Sequence, residues 1–383
     1  GLRRCGKSTL LKQYQELLRE NGVLEEQIIS INFEEMEYEH LLDYKALYAY
    51  LKDRLCEGRM TYIFLDEIQK VVSYEKVVDS LFVKDNTDIY ITGSNAYMLS
   101  GDLATLLTGR YIELPMLPLS LKEYCEATSL QPDAAFAEYQ KNGGLPYIAM
   151  MEKTPEKVDT YLEGIYNTII IKDIEDRQRR KERDPNKRKI TDIALLKTIA
   201  RYLAGVVGNP ISIKSVADYL TSNGRKVSQN TVSDYMGALA ESFIFYPAER
   251  FDVFGKQVLK TNQKWYMVDL GLRNHILPRS SYDLGFSLEN IIYFELLRRD
   301  YKVNIGKVGN TEVDFVAQKQ GVFTYYQVTA DMSAPDTFER EMKPLRAIRD
   351  NYEKVVLTLD RYTLGNYDGI QVIHAIDWLL GDE

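Results

Sequence analysis

The first eight residues, Gly1-Leu2-Arg3-Arg4-Cys5-Gly6-Lys7-Ser8, match G-x-x-x-x-G-K-[ST] at every fixed position. Residues of these types at this spacing make a phosphate cradle. Gly1 and Gly6 let the backbone turn where a Cβ would obstruct it, and the loop amides then point inward at the β- and γ-phosphates of a nucleotide. Lys7 reaches the same phosphates as a point charge, and the Ser8 hydroxyl is placed to ligate Mg²⁺. From Thr9 the chain enters a helix whose positive N-terminal end adds to the attraction. The alternative is a chance match in a glycine-containing turn.

Two further stretches supply groups for hydrolysis. Thr61 to Gln69 reads TYIFLDEIQ, an apolar run ending in an acidic pair, which is the Walker B pattern. Asp66 would hold Mg²⁺, mostly through water, and Glu67 would polarise the attacking water. A buried strand ending in a solvated acidic pair is the plain alternative. Asp88 to Ser94 (DIYITGS) is a strand running into a small-residue turn, and either Ser94 or Asn95 is expected to face the γ-phosphate and orient the water. Arg110 is a candidate for stabilising transition-state charge, in cis or across a subunit interface. A surface salt bridge is the other reading of Arg110.

The elements that must position these groups follow from periodicity. Thr9 to Arg19 is an amphipathic helix with Leu10, Leu11, Tyr14 and Leu17 at helical spacing. Gln27 to Phe33 is a second strand, and residues 39–55 are a helix. A phosphate loop of this type follows a strand, so the central strand is expected to precede Gly1. Residues 116–175 read as a helical lid, with helices at Leu119 to Ala127, Asp133 to Gln140 and Lys157 to Arg177 and a turn at Gly143-Gly144-Leu145-Pro146.

Composition narrows the function classes. A net charge of −8 argues against a uniformly basic nucleic-acid coat while leaving room for a local patch. Three cysteines and three histidines, all scattered, form neither a disulfide framework nor a metal-ligand spacing, which fits a reducing cytoplasm. No apolar run approaches the ~20 residues of a membrane span.

GLRRCGKSTLL, FLDEIQ, ITGSN, LTGRYIELPMLPLSLKEY and NGGLPYI together resemble one large prokaryotic family, the AAA-type ATP-binding proteins that carry a C-terminal domain of unknown function. The resemblance covers the whole chain. It implies an α/β, AAA+-like core of parallel strands, ATP and Mg²⁺ as ligands, and a cytoplasmic location. It implies no particular cellular role.

Beyond the lid, Asp176 to Lys189 holds eight basic and three acidic residues and reads as a solvated linker. Helices are expected at Asp192 to Ala204, at Ser212 to Ser222 with Ser212 as N-cap, and at Ser228 to Glu241. Strands at Phe243 to Tyr246 and Lys264 to Asp269 then complete a winged-helix pattern. The third helix offers Ser228, Gln229, Asn230, Thr231 and Ser233 but no Arg or Lys, so it is either a DNA reader or a protein-binding platform. The last third reads as αβββαβ, with Glu289 on its first helix and Asp314 on a strand, and looks like the restriction-endonuclease fold of the PD-(D/E)xK group. That chemistry needs clustered carboxylates for Mg²⁺ and a lysine near the water. Here the acidic-x-Lys position reads Gln327-Val328-Thr329, and Lys307 is a poor substitute, so the domain is expected to be inactive.

The expected domains are a P-loop core at 1–115, a lid and basic linker at 116–189, a winged helix at 190–280 and a nuclease-like domain at 281–383. The expected function is ATP binding with Mg²⁺-dependent hydrolysis that controls DNA- or protein-binding C-terminal domains, with a homo-oligomer able to supply Arg110 in trans. The alternatives are an ATP-binding switch without significant hydrolysis and an ATP-gated Mg²⁺ nuclease.

Overall fold

The structure, a computed structural model, describes residues 1–93, 109–173, 190, 192–277 and 284–381. The chain forms two compact units, Gly1–Met116 and Leu117–Glu383.

The first unit is a layered α/β structure. Helix α1 (Lys7–Glu20) is followed by β1 (Ile28–Asn32), α2 (Tyr44–Lys52), β2 (Thr61–Asp66), α3 (Tyr74–Phe82) and β3 (Thr87–Ile91). The three strands are parallel and lie in the order β1-β2-β3. Alternation along β2 sends its side chains to two sides. Ile63 and Leu65 join Leu47 and Leu51 of α2 and Val77, Val78 and Leu81 of α3 in one core. Phe64 instead stacks on Tyr90 of β3 and meets Tyr14 of α1 edge-on.

Helix α1 does not bury the face that its apolar spacing suggests. Leu10 and Leu17 are 42% and 49% exposed, whereas Gln15 and Leu18 are buried. Gln15 is tolerated there because its amide donates to Ser30 Oγ of β1 at 3.2 Å, which satisfies a polar group turned toward the sheet.

The second unit begins with four helices, α4 (Leu121–Thr128), α5 (Pro132–Asn142), α6 (Pro146–Met150) and α7 (Pro155–Asn167). Then come α8 (Ile193–Gly205), β4 (Pro210–Ile211), α9 (Ile213–Ser222), α10 (Gln229–Glu241), β5 (Phe245–Asp252), β6 (Gln257–Met267) and α11 (Leu270–Ile276). The rest is α12 (Leu284–Arg298), β7 (Lys302–Val308), β8 (Thr311–Lys319), β9 (Val322–Thr329), α13 (Pro335–Ala347), β10 (Glu353–Thr358), β11 (Gly365–Tyr367), β12 (Ile370–His374) and α14 (Ala375–Leu380). The αβββαβ order is present from α12 to β10. Ser212 caps α9 as the sequence suggests, its hydroxyl accepting from the Ser215 N–H, and the Ser228 hydroxyl accepts from the Thr231 N–H at the start of α10.

Two features bear on the expected division. First, all the described strands of this unit share one sheet, ordered β11-β12-β10-β9-β8-β7-β5-β6-β4. The hairpin β5–β6 joins the C-terminal strands through a parallel pairing of Arg250–Asp252 with Ile305–Lys307, so residue 280 separates no sheets. The dipeptide Asn209-Pro210, which reads as punctuation, instead leads into a short edge strand on β6. Second, α4 to α7 belong to this same unit, where the Gly143-Gly144-Leu145-Pro146 turn wraps the buried carboxylate of Asp269. Asp269 Oδ2 accepts from the Gly144 N–H at 2.7 Å, and Oδ1 accepts from the Leu272 N–H at 3.0 Å at the start of α11. Gly143 has φ +81°, and a Cβ there would lie 2.3 Å from Asp269 Oδ1, so only glycine admits the carboxylate. The helices read as a lid are thereby fastened to the C-terminal body.

Burial pushes the Asp269 carboxyl up to about 6, against its backbone donors. A carboxyl raised in the folded state contributes stability that is full below its unfolded value near 3.8 and declines as pH rises through 6. Asp269→Asn loses one acceptor and turns an amide N–H toward Gly144 or Leu272, so urea unfolding should show a loss of about 1–3 kcal/mol. The gap between parent and variant should narrow as pH rises from 4 to 6, because only the parent carries the declining contribution.

Candidate functional site

The phosphate loop is built as its glycines require. Gly6 takes φ +100° immediately before α1, and Arg4 is also left-handed at φ +64°. Helix α1 has no side chain capping its N-terminus, so its first N–H groups, from Lys7, Ser8 and Thr9, face outward from the helix end. Lys7 Nζ donates to the carbonyls of Leu2 and Gly1 at 2.7 and 3.1 Å, folding the ammonium back over its own loop. Ser8 is exposed beside it, and Arg3 reaches Glu34 at 3.5 Å. The loop is also anchored at its far side. A Cβ on Gly1 would lie 2.2 Å from the Met116 carbonyl, and Cys5 Sγ donates to that same oxygen at 3.7 Å.

Asp66 and Glu67 stand at the C-terminal end of β2, the edge at which ligands of parallel sheets bind. Both are buried. The sequence reading did not single out the residue that organises them, Thr92, one position past β3. Its hydroxyl donates to Asp66 Oδ1 and accepts the Glu67 N–H at 3.2 Å. Its backbone continues the pairing, with Thr92 N donating to the Leu65 carbonyl and Ile68 N donating to the Thr92 carbonyl. Glu67 itself takes a left-handed backbone at φ 55°, a conformation that costs a side-chain-bearing residue about 1–2 kcal/mol and re-aims the chain at the strand end. Gln69, two residues on, donates its amide to Glu67 Oε2. The sequence signal for Thr92 is its place at the end of an apolar strand adjoining β2, two residues before Ser94.

Ser94 and Asn95 lie outside the described residues, as do residues 176–189. Arg110 pairs with Asp79 of α3 at 2.7 Å, both side chains being more than 40% exposed, and its guanidinium sits over Phe82 at 5.7 Å. This is the surface salt bridge of the plainer reading, worth at most about 1 kcal/mol.

The second unit holds a separate charged centre. Glu289 of α12 and Asp314 of β8 do meet, but the lysine between them is Lys264 of β6. Its Nζ lies 2.8 Å from Glu312 Oε1, 3.0 Å from Glu289 Oε1 and 3.7 Å from Asp314 Oδ1. Tyr266, on the same face of β6, donates to the same Glu289 oxygen at 2.6 Å. Burial works against the Lys264 charge, yet the three carboxylates more than offset it and hold the ammonium above its usual range. Asp314 is held well above the usual carboxylate range by burial and by Glu289, against the pull of Lys264. Gln327 is a connector here: its Oε1 accepts the Asp314 N–H at 3.3 Å and its amide donates to Glu341 at 2.8 Å. Lys307 lies elsewhere, 4.0 Å from Asp252. Lys264 was detectable in principle as a lone cation inside the aromatic run Lys264-Trp265-Tyr266, where a buried lysine demands carboxylates.

Residues 1–125 match a family described as an AAA domain, and residues 133–283 match a domain of unknown function, DUF8612. An uncharacterized protein of Haemophilus influenzae is 39% identical over 386 residues, covering 99% of this chain and 93% of that protein. The chain belongs to the AAA-type ATP-binding proteins. An uncharacterized protein of Methanocaldococcus jannaschii is 28% identical over 395 residues, covering 97% of this chain and 83% of its own length. Among solved structures, a Walker-type ATPase of Pyrococcus abyssi matches with a TM-score of 0.45 at 14% identity, over 72% of this chain and 89% of that one. Among the described residues, no helix is long and apolar enough to cross a membrane.

Thr92→Val keeps the side-chain shape and removes both hydrogen bonds, leaving a buried carboxylate oxygen and the Glu67 N–H unpaired. Chemical unfolding should show a loss of about 1–3 kcal/mol, with Thr92→Ser close to the parent.

Proposed function

We propose that this AAA-type protein is a Mg²⁺-dependent ATPase whose nucleotide state controls a C-terminal binding unit. The observation that carries the reading is the Thr92 hydroxyl bridging Asp66 and the Glu67 backbone at the end of the parallel strands, with Gln69 on the Glu67 carboxylate. A merely solvated acidic pair has no need of such bracing. In this reading the amides of Gly1 to Thr9 and the Lys7 ammonium bind the β- and γ-phosphates. Ser8 and Asp66 would hold Mg²⁺, which supplies charge neutralisation on the phosphates. Glu67 takes the proton of the attacking water, and Gln69 and the left-handed turn keep its carboxylate aimed. Ser94 or Asn95 orients the same water. Arg110 would stabilise transition-state charge only after leaving Asp79.

The run from α8 to β6, in the order α-β-α-α-β-β, supports a winged-helix reading of that part of the second unit. Its third helix exposes Gln229, Asn230 and Ser233, but also Asp234. Arg225, just ahead of it, pairs with Asp192, while Lys226 is exposed. A helix without Arg or Lys of its own, preceded by Lys226, is weakly equipped for a phosphate backbone, which favours a protein partner over DNA. A cytoplasmic setting and a homo-oligomer are compatible with this reading.

ATP turnover and fluorescent-nucleotide binding should be measured on the full-length protein with and without duplex DNA. Glu67→Gln should lower kcat by about 100-fold or more with binding retained. Lys7→Ala should weaken binding by roughly tenfold or more, the loss of a charge-assisted contact. Tight binding without turnover under every condition would reject hydrolysis and favour the switch. Turnover that rises with DNA would move the partner from protein to nucleic acid.

A further inference from the structure

A nuclease-like centre built on Glu289 and Asp314 implies a divalent cation, and the residues present do not fit one. Mg²⁺ draws oxygens to about 2.0–2.1 Å in an octahedron. The space among Glu289 Oε1, Glu312 Oε1 and Asp314 Oδ1 instead holds the Lys264 ammonium, 2.8–3.7 Å from each. A metal ion beside it would meet a fixed positive charge at contact distance. Among the described residues, no group of three or more His, Cys, Asp or Glu is arranged to hold a metal ion.

The lysine is not free to withdraw. Its side chain is 5% exposed and its strand is paired on both sides, with Ala248 of β5 and Pro210 of β4. Tyr266, two residues on, fixes the same Glu289 oxygen. Gly208, at φ +77°, brings its backbone so close that a Cβ would lie 3.1 Å from the other Glu289 oxygen. On β9, the positions that would carry an acid and a lysine are occupied by Gln327 and Thr329, and both are satisfied. Gln327 joins Asp314 to Glu341, and the Thr329 hydroxyl donates to the Asp331 carbonyl at 3.0 Å.

We infer that Lys264 is the built-in cation of this cluster, standing where a divalent metal would stand and keeping the centre closed to one. The charge of the ammonium offsets carboxylates contributed by α12 and β8, so the hairpin strand β6 does for these elements what a metal does when it gathers ligands. Removal of the ammonium without loss of the carboxylates is the change that would let a divalent cation approach them.

The test is Mn²⁺ binding by electron paramagnetic resonance on the nucleotide-free, full-length protein, comparing the parent, Lys264→Met, Asp314→Asn and the double variant. Circular dichroism confirms folding, and thermal melts are recorded with and without Mn²⁺. The expected result is that parent and Asp314→Asn bind Mn²⁺ alike, that Lys264→Met gains one site at least tenfold tighter than any in the parent, and that the double variant loses it. Mn²⁺ should raise the melting temperature of Lys264→Met alone. A parent site abolished by Asp314→Asn would overturn the inference, since the lysine would then accompany a metal rather than replace it. A folded Lys264→Met with no gain would overturn it too, the carboxylates having taken protons instead. If Lys264→Met does not fold, the comparison of parent with Asp314→Asn decides in the same sense.

Discussion

A carboxylate removed from water must find donors or a counter-charge, and this chain is arranged around three that do so in different ways. Asp66 finds a hydroxyl, Thr92, delivered by the neighbouring parallel strand. Asp269 finds backbone N–H groups, which requires two glycines to bring the 143–145 turn within reach. Asp314 finds a lysine from a strand that is not its sheet neighbour. Each solution joins segments distant in sequence, and each defines a region: the nucleotide edge of the first unit, the attachment of helices α4 to α7, and the junction of the hairpin with the C-terminal strands.

The first of these bears on the proposed hydrolysis. A general base in hydrolysis needs a fixed position more than it needs strength. The Glu67 backbone is turned into a left-handed conformation, its N–H is held by Thr92 and its carboxylate by Gln69. Asp66, one residue back, is held through its side chain by the same hydroxyl. One threonine thus fixes the Asp66 carboxylate relative to the Glu67 backbone, the two residues that the proposed hydrolysis would direct at metal and water.

Local chemistry was legible in the sequence and distant chemistry was not. The phosphate-loop motif and the acidic pair are each contiguous, and the structure places them at the start of α1 and at the end of β2. The caps at Ser212 and Ser228 are equally local. The buried face of α1 was misread because Gln15, polar by type, is made apolar in effect by Ser30 on another element. The parallel pairing of β5 with β7, across the boundary expected at residue 280, spans about fifty residues and leaves no local mark. The lysine absent from β9 reappears on β6, and no spacing rule links Lys264 to Glu289 and Asp314. The short elements β11, β12 and α14 went unread because three to six residues carry too little periodicity.

The anchoring of the phosphate loop has a mechanical consequence. Gly1 abuts the Met116 carbonyl and Cys5 donates to it, while Met116 is the last residue of the first unit before the chain crosses into the second. The loop and the Met116 peptide are therefore not free to move independently: no Cβ fits between Gly1 and the Met116 carbonyl, so a larger residue at either end of that contact has to displace the other.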